Sequence, residues 1–294
     1  MPVILAYIGV IIIWSTTPLA IKWSGDSSGF LFGVTARMVI GLLLTTVLML
    51  LTSRRLPWTN AARQVYVVAG IAIYGSMLSV YWGSQFVSSG FISVIFGLNP
   101  IMTGIMAAVW LNERSLTPAR VFGVLCGITG LVVIFGQGMQ LGEQAAMGIG
   151  AIFIAVILHS LSSIMFKKLK VELSALEITH GGLLVSVPLY LFTWFIMQGS
   201  WPEHITSRSV ASIFYLGAFG SVLGFILFFY ILKHIEASKV ALITLVTPVV
   251  ALYLGYALNN EVVNSNIIIG TGLILIGMMF YYLSERRVKV LYAD

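Results

Sequence analysis

Apolar runs of about twenty residues recur from one end of this chain to the other, and nothing constrains its fold more. A helix rises about 1.5 Å per residue, so each run reaches across a hydrocarbon core of about 30 Å. Ten such segments can be marked: 3–22, 30–52, 64–86, 90–111, 118–137, 146–166, 174–197, 210–232, 238–258 and 265–284. Polar or charged punctuation separates them, as in GDSSG at 25–29, SRRLPWTN at 53–60, NERSLTP at 112–118 and GSWPEHITSRS at 199–209. Of 294 residues, 59% are hydrophobic and only 9% charged, where a soluble domain is about one quarter charged. The solvent for this fold is therefore lipid. Lipid admits only helices and closed barrels as spanning structures, and segments this long are helices. The N-terminal stretch MPVILAYIGVIIIWSTTPLAIK lacks a basic leader and its apolar run is too long for a signal sequence, so it reads as a retained first helix.

The cations test the count. With a cytoplasmic N-terminus, the inside loops hold thirteen: Arg54, Arg55, Arg63, Arg114, Arg120, Lys167, Lys168, Lys170, Lys233, Lys239, Arg286, Arg287 and Lys289. The outside loops hold two, Lys22 and Arg208, and Arg37 lies within the second helix. This is the positive-inside pattern, and it predicts ten helices with both termini cytoplasmic. It also accounts for the net charge of +6 without nucleic acid. The single cysteine, Cys126, excludes an internal disulfide.

One pattern is written twice. GLNPIMTGIMAAVWLNE runs from Gly97 to Glu113, and LVTPVVALYLGYALNNE from Leu245 to Glu261. Pro100 matches Pro248, Asn112 matches Asn260 and Glu113 matches Glu261, all at an offset of 148. Trp14-Ser15 with Lys22 is echoed by His159-Ser160 with Lys167. The expectation is an all-α membrane protein of ten transmembrane helices in two five-helix repeats, 1–140 and 141–294, together one unit. An odd number of helices per repeat puts the second upside down. Inverted repeats suit alternating access around a midplane site.

WSTTPLAIK in helix 1, the prolines of helices 4 and 9 with their Asn-Glu exits, and the glycine-rich helices 5 and 10 resemble the EamA-type transporters of the drug/metabolite transporter superfamily. The resemblance covers nearly the whole chain. Within the family the chain resembles YddG-type bacterial exporters of aromatic amino acids. The resemblance implies a monomer-sized unit in a bacterial inner membrane, a central cavity, and export of small metabolites.

Candidate site residues follow from the polar and aromatic groups at mid-membrane depth. Trp14, Ser15, Thr16 and Thr17 in helix 1 and His159, Ser160, Ser162 and Ser163 in helix 6 are the most polar mid-helix stretches, and an ionisable group there is a functional candidate. In helix 3, Tyr74, Met77, Tyr81 and Gln85 form a stripe, and Phe225, Phe228 and Phe229 in helix 8 are its counterpart. Trp14, Tyr81 and Phe229 are expected to supply apolar walls, and Ser15, Asn99, His159, Ser163 and Thr247 to orient the polar end of a substrate. Pro100 and Pro248 are expected to kink their helices and free a carbonyl. Glu113 and Glu261 end those helices against the macrodipole, so an Arg partner or a neighbouring helix N-terminus must favour them; both read as clasps or gates. Arg37 reads as a group that snorkels outward, pairs with a helix-end carbonyl or binds a substrate carboxylate, with structural use favoured.

What is missing narrows the function. All ten acidic residues fall in loops or at helix ends. A carboxylate proton relay and a cation-selective site are disfavoured, leaving His159 or His180 for any proton coupling. One buried Arg is too few for a strongly phosphorylated substrate. No catalytic motif is present, and the four histidines are scattered, so neither metal nor cofactor is expected. The reading is an exporter of small neutral metabolites, foremost aromatic amino acids, with purines, quaternary amines or other drugs as alternative cargo. A lipid-modifying membrane enzyme is the reading from another class.

Overall fold

The computed structural model describes residues 2–111, 118–138, 143–169, 172–245 and 247–291. Glu113 and the expected repeat junction at 140–141 lie outside them. Every regular element among the described residues is helical: α1 (Val3–Gly25), α2 (Phe30–Leu51), α3 (Asn60–Gly83), α4 (Ser89–Phe96), α5 (Asn99–Trp110), α6 (Pro118–Gly138), α7 (Glu143–Leu169), α8 (Ala175–Met197), α9 (Ser207–Tyr215), α10 (Gly224–His234), α11 (Ala237–Ala241), α12 (Thr247–Asn259) and α13 (Ser265–Leu291). Among the described residues seven spans are long and apolar enough to cross a membrane, counting α4–α5 as one and α9–α10 as one. The chain is a multi-pass, all-helical membrane protein.

Helix starts carry the expected chemistry. Ser174 and Glu177 cap α8 reciprocally, with Glu177 also 3.5 Å from Arg54. Thr59 and Thr206 accept from the first turns of α3 and α9. The surface pattern is inverted relative to a soluble protein. On α2, Leu43, Val47, Leu50 and Leu51 are exposed, while Gly33, Arg37, Gly41 and Thr45 are buried. On α8, Phe192, Phe195 and Ile196 face outward, while His180, Gly181 and Ser186 face inward. Polar groups go inside because hydrocarbon offers them no partner.

Three segments read as continuous helices are not. The span 90–111 splits into α4 and α5 at Gly97–Leu98, and 238–258 splits into α11, a 3₁₀ turn (Leu242–Leu245) and α12. Neither proline kinks a running helix. Pro100 and Pro248 each occupy the second residue of a new helix, where a fixed φ and a missing N–H are no liability. The third segment, 210–232, contains a π-helical stretch, Leu216–Leu223, joining α9 to α10.

Packing relies on small residues. α6 lies along α13, and α3 lies between α7 and α8. A Cβ on Gly277 would meet the carbonyl oxygen of Gly123 and come within 2.9 Å of the Cys126 Cβ. A Cβ on Gly272 of the same helix would meet nothing within 4 Å. Gly277→Ala is therefore expected to destabilise the α6–α13 pair by about 1–3 kcal/mol through overpacking. Gly272→Ala should leave stability unchanged or raise it. Thermal unfolding of the two purified variants in detergent checks the difference.

Candidate functional site

The segments that depart from regular α-helix converge on one cavity. Its empty volume is about 880 Å³, open mouth included. Trp14, Thr17, Pro18 and Ile21 line it from α1, and Arg37 from α2. α3 contributes Ala69, Ala72, Ile73, Ser76, Met77 and Val80. Ile92, Ser93 and Phe96 come from α4 beside its break, and His159 and Ser162 from α7. Gly220 of the π-helical stretch, Phe225, Phe228 and Phe229 of α10, Thr244 of the 3₁₀ turn and Thr247 of α12 complete the lining.

An aromatic cluster forms one wall. The Trp14 ring meets His159 edge-on, centroids 5.4 Å apart, and Phe228 at 5.4 Å. His159 lies 5.0 Å from Phe228 and 6.2 Å from Phe96. The His159 Nε2 is buried with no hydrogen-bond partner. Such aromatic pairs contribute roughly 0.5–1.5 kcal/mol beyond area burial, and a flat ligand group would extend the cluster.

Trp14, His159, Phe229 and Thr247 are thus brought together on the cavity wall. Ser15, Tyr81, Asn99 and Ser163 stand behind it. Ser15 donates to the Ile11 carbonyl at 2.7 Å, and Ser163 to the His159 carbonyl at 3.0 Å, each spending its hydroxyl on its own helix. Asn99 accepts from Ser160 at 2.7 Å and from Thr103 at 3.3 Å, which ties the break before α5 to α7. Tyr81 is fully buried and accepts from Ser24 at 3.3 Å. On α3 Ala69, Ala72, Ile73, Ser76, Met77 and Val80 face the cavity, so Met77 of the expected stripe is on the wall and the tyrosines are not. Tyr74 turns the other way, bonding Thr193 and packing edge-on against Tyr190. His180 is off the wall too, with Nδ1 3.1 Å from the Thr45 hydroxyl.

Glu261 closes one end of the molecule. Asn260 takes a left-handed conformation, φ 51°, and turns the chain after α12. The Glu261 amide then reaches the Gly255 carbonyl at 3.1 Å, and its carboxylate swings onto the N-terminus of α4. It accepts from the Ser89 amide and hydroxyl, both at 2.9 Å, from the Gly90 amide at 3.3 Å and from the Asn259 side chain at 2.9 Å. Ser88, the α4 N-cap residue, makes no side-chain cap of its own, so Glu261 caps α4 in its place. A Cβ on Gly255 would collide with the Glu261 carboxylate. Beside this clasp, Lys22 donates to the Val87 carbonyl at 2.6 Å and Trp23 to the Asn259 side chain at 2.9 Å.

Sequence reasoning passed over Phe96 and Ser93, which the α4–α5 break carries to the wall, and Lys22, Trp23 and Asn259 at the closed end. The one signal for the π-helical stretch was the glycine spacing at Gly217, Gly220 and Gly224. Among the described residues no group of three His, Cys, Asp or Glu is placed to hold a metal ion.

Comparison with known proteins places these features in a family. The model of the EamA-like transporter family matches residues 1–136 and 146–283. The uncharacterized transporter YoaV of Bacillus subtilis is 26% identical over 290 residues, 98% of this chain and 99% of its own length. An uncharacterized transporter of Archaeoglobus fulgidus is 27% identical, over 90% of this chain and 93% of its own. The protein PagO of Salmonella typhimurium is 23% identical over 84% of each chain. A crystal structure at 20% identity shares the fold, with a TM-score of 0.72 across 96% of this chain and 98% of its own.

Glu261→Ala removes three donors' acceptor at the start of α4. It is expected to lower stability by about 1–2 kcal/mol, as for a lost N-cap. Glu203→Ala, at an exposed loop position, should have no effect. Paired melting curves check this.

Proposed function

The chain belongs to the EamA-like transporter family, and from that premise we propose that it exports small amphipathic metabolites, foremost aromatic amino acids, by alternating access. The observation that carries the reading is the Trp14–His159–Phe228 cluster on an otherwise open, mainly apolar cavity with hydroxyls at Thr17, Ser76, Ser93, Ser162 and Thr247. Such a wall suits a flat apolar group with a small polar end. No carboxylate stands on it and the cationic Arg37 does, which disfavours quaternary amines.

The proposed frame is ten spans, with α4–α5, α9–α10 and α11–α12 as one span each, in two inverted five-helix repeats. Two matches to one family model, one per half, support it. So does the packing. α1 lies on α10 and α12, and its repeat-mate α7 lies on α3 and α5; α6 lies on α13, and α2 on α8. In this frame the protein is a monomer in a bacterial inner membrane with both termini cytoplasmic. The Glu261 clasp, with Lys22 and Trp23, is then the outer gate. The breaks at Pro100 and Pro248 are the points about which each half-span tilts.

Purified protein in liposomes should take up radiolabelled Phe and Trp saturably, and Thr and Met less well. Trp14→Ala should raise KM for Phe by about threefold to tenfold, the loss of one aromatic pair. Saturable uptake of purines but of no amino acid would sink the substrate proposal while leaving the transporter.

A further inference from the structure

Arg37 lies seven residues into α2, about 10 Å along its axis, and is only 1% exposed. The residue lines the cavity. Nε donates to the Ser221 hydroxyl at 3.1 Å, and the group lies 5.8 Å from the centre of the Tyr81 ring. Nη2 rests over Gly220, where a Cβ would come within 2.9 Å of it. Nη1 is buried and has no hydrogen-bond partner.

Nothing here neutralises the charge. None of the ion pairs among the described residues includes Arg37. A hydroxyl is a neutral acceptor, and 5.8 Å is near the outer limit for a cation over a ring. The ion pairs among the described residues join other cations to carboxylates: Arg54 to Glu177 at 3.5 Å, Arg208 to Asp26 at 3.0 Å and Lys239 to Glu236 at 3.0 Å. A guanidinium does not shed its proton in a protein, and an uncompensated buried charge is strongly unfavourable. The ligand is the remaining source of an anion. The wall carries a single guanidinium and no lysine, which suits a monoanion better than a phosphate.

We infer that Arg37 is the anion-binding end of the cavity and takes the carboxylate of a small molecule whose flat apolar end meets Trp14, His159 and Phe228. This rests on the transporter reading and deepens it. An amino group is not required for recognition, because no wall residue is a carboxylate that would pair with an ammonium. A plain aromatic acid and an aromatic amino acid share the recognised chemistry; an aromatic amine lacks it.

The test uses the full-length protein in detergent. Its thermal stabilisation is measured as a function of added phenylalanine, 3-phenylpropionate or phenethylamine. Phenylalanine and 3-phenylpropionate are expected to stabilise it saturably and phenethylamine not. Stabilisation by 3-phenylpropionate as well as phenylalanine marks the carboxylate as the recognised group; stabilisation by phenylalanine alone would overturn the claim that the amine is dispensable. Arg37→Gln should weaken both acids at least about tenfold, as for a lost charge-assisted hydrogen bond. Its ligand-free melting temperature should hold or rise, since an unpaired charge has been removed; a lower one would overturn the assignment by making the guanidinium structural. Arg37→Lys should retain part of the acid response. The wild-type series decides independently of any variant's folding. Phenethylamine acting as well as the acids would overturn the Arg37 assignment and leave the cavity reading intact. No response to any of the three would overturn both.

Discussion

Hydrocarbon offers no hydrogen bonds, and the shape of this molecule follows from that. A helix can be interrupted in lipid only where protein or a cavity receives the freed groups. Three interruptions occur in or beside the cavity: the α4–α5 break, the 3₁₀ turn before α12 and the π-helical stretch before α10. Each brings a residue to the wall, namely Phe96, Thr244 and Gly220. The breaks are tied down from inside. Asn99 accepts from Ser160 of α7, and Ser221 accepts from Arg37 of α2. A cavity and irregular backbone are thus the same feature seen twice: the opening makes the break tolerable, and the break shapes the opening.

Two charged groups inside this frame are treated very differently. Glu261 receives four donors and sits at a helix N-terminus, where the macrodipole favours an anion. Arg37 receives one neutral acceptor. The first arrangement is complete and belongs to the protein's own architecture. The second is incomplete, in a residue that lines the cavity.

The helical class and the membrane were legible in residue type alone, because a run of twenty apolar residues has few other uses. The rotation of each helix was not. In a soluble protein the core face is the apolar face; here lipid is as apolar as the core, and α1 or α8 offers little pattern to read. That is why Tyr81 looked like cavity lining and is packed behind it, while Ala69, Ala72 and Ser76 line the opening beside Ile73, Met77 and Val80. A cavity needs room, and small residues make it. The prolines were visible, but their role turned on register: at the second residue of a helix, proline starts a turn and breaks nothing. The Asn-Glu exit is similar. Its logic depends on the φ of Asn260 and on the start of α4, 171 and 172 residues away along the chain.

The offset of 148 also separates what a repeat keeps from what it lets change. It keeps the positions of breaks and prolines. It does not keep side chains at the wall: Phe96 corresponds to Thr244, and Asn99 to Thr247. At the clasp, Ser89, whose amide and hydroxyl both bind Glu261, corresponds to Ala237, which has no hydroxyl. Under the proposed repeat, related breaks in the two halves would tilt in related ways. Side-chain asymmetry gives the cavity an aromatic side and a hydroxyl side, so a bound molecule meets one orientation rather than two. With a lone guanidinium on α2 and Val185 at the position the offset matches to it, the proposed carboxylate site would fix that orientation at its charged end as well.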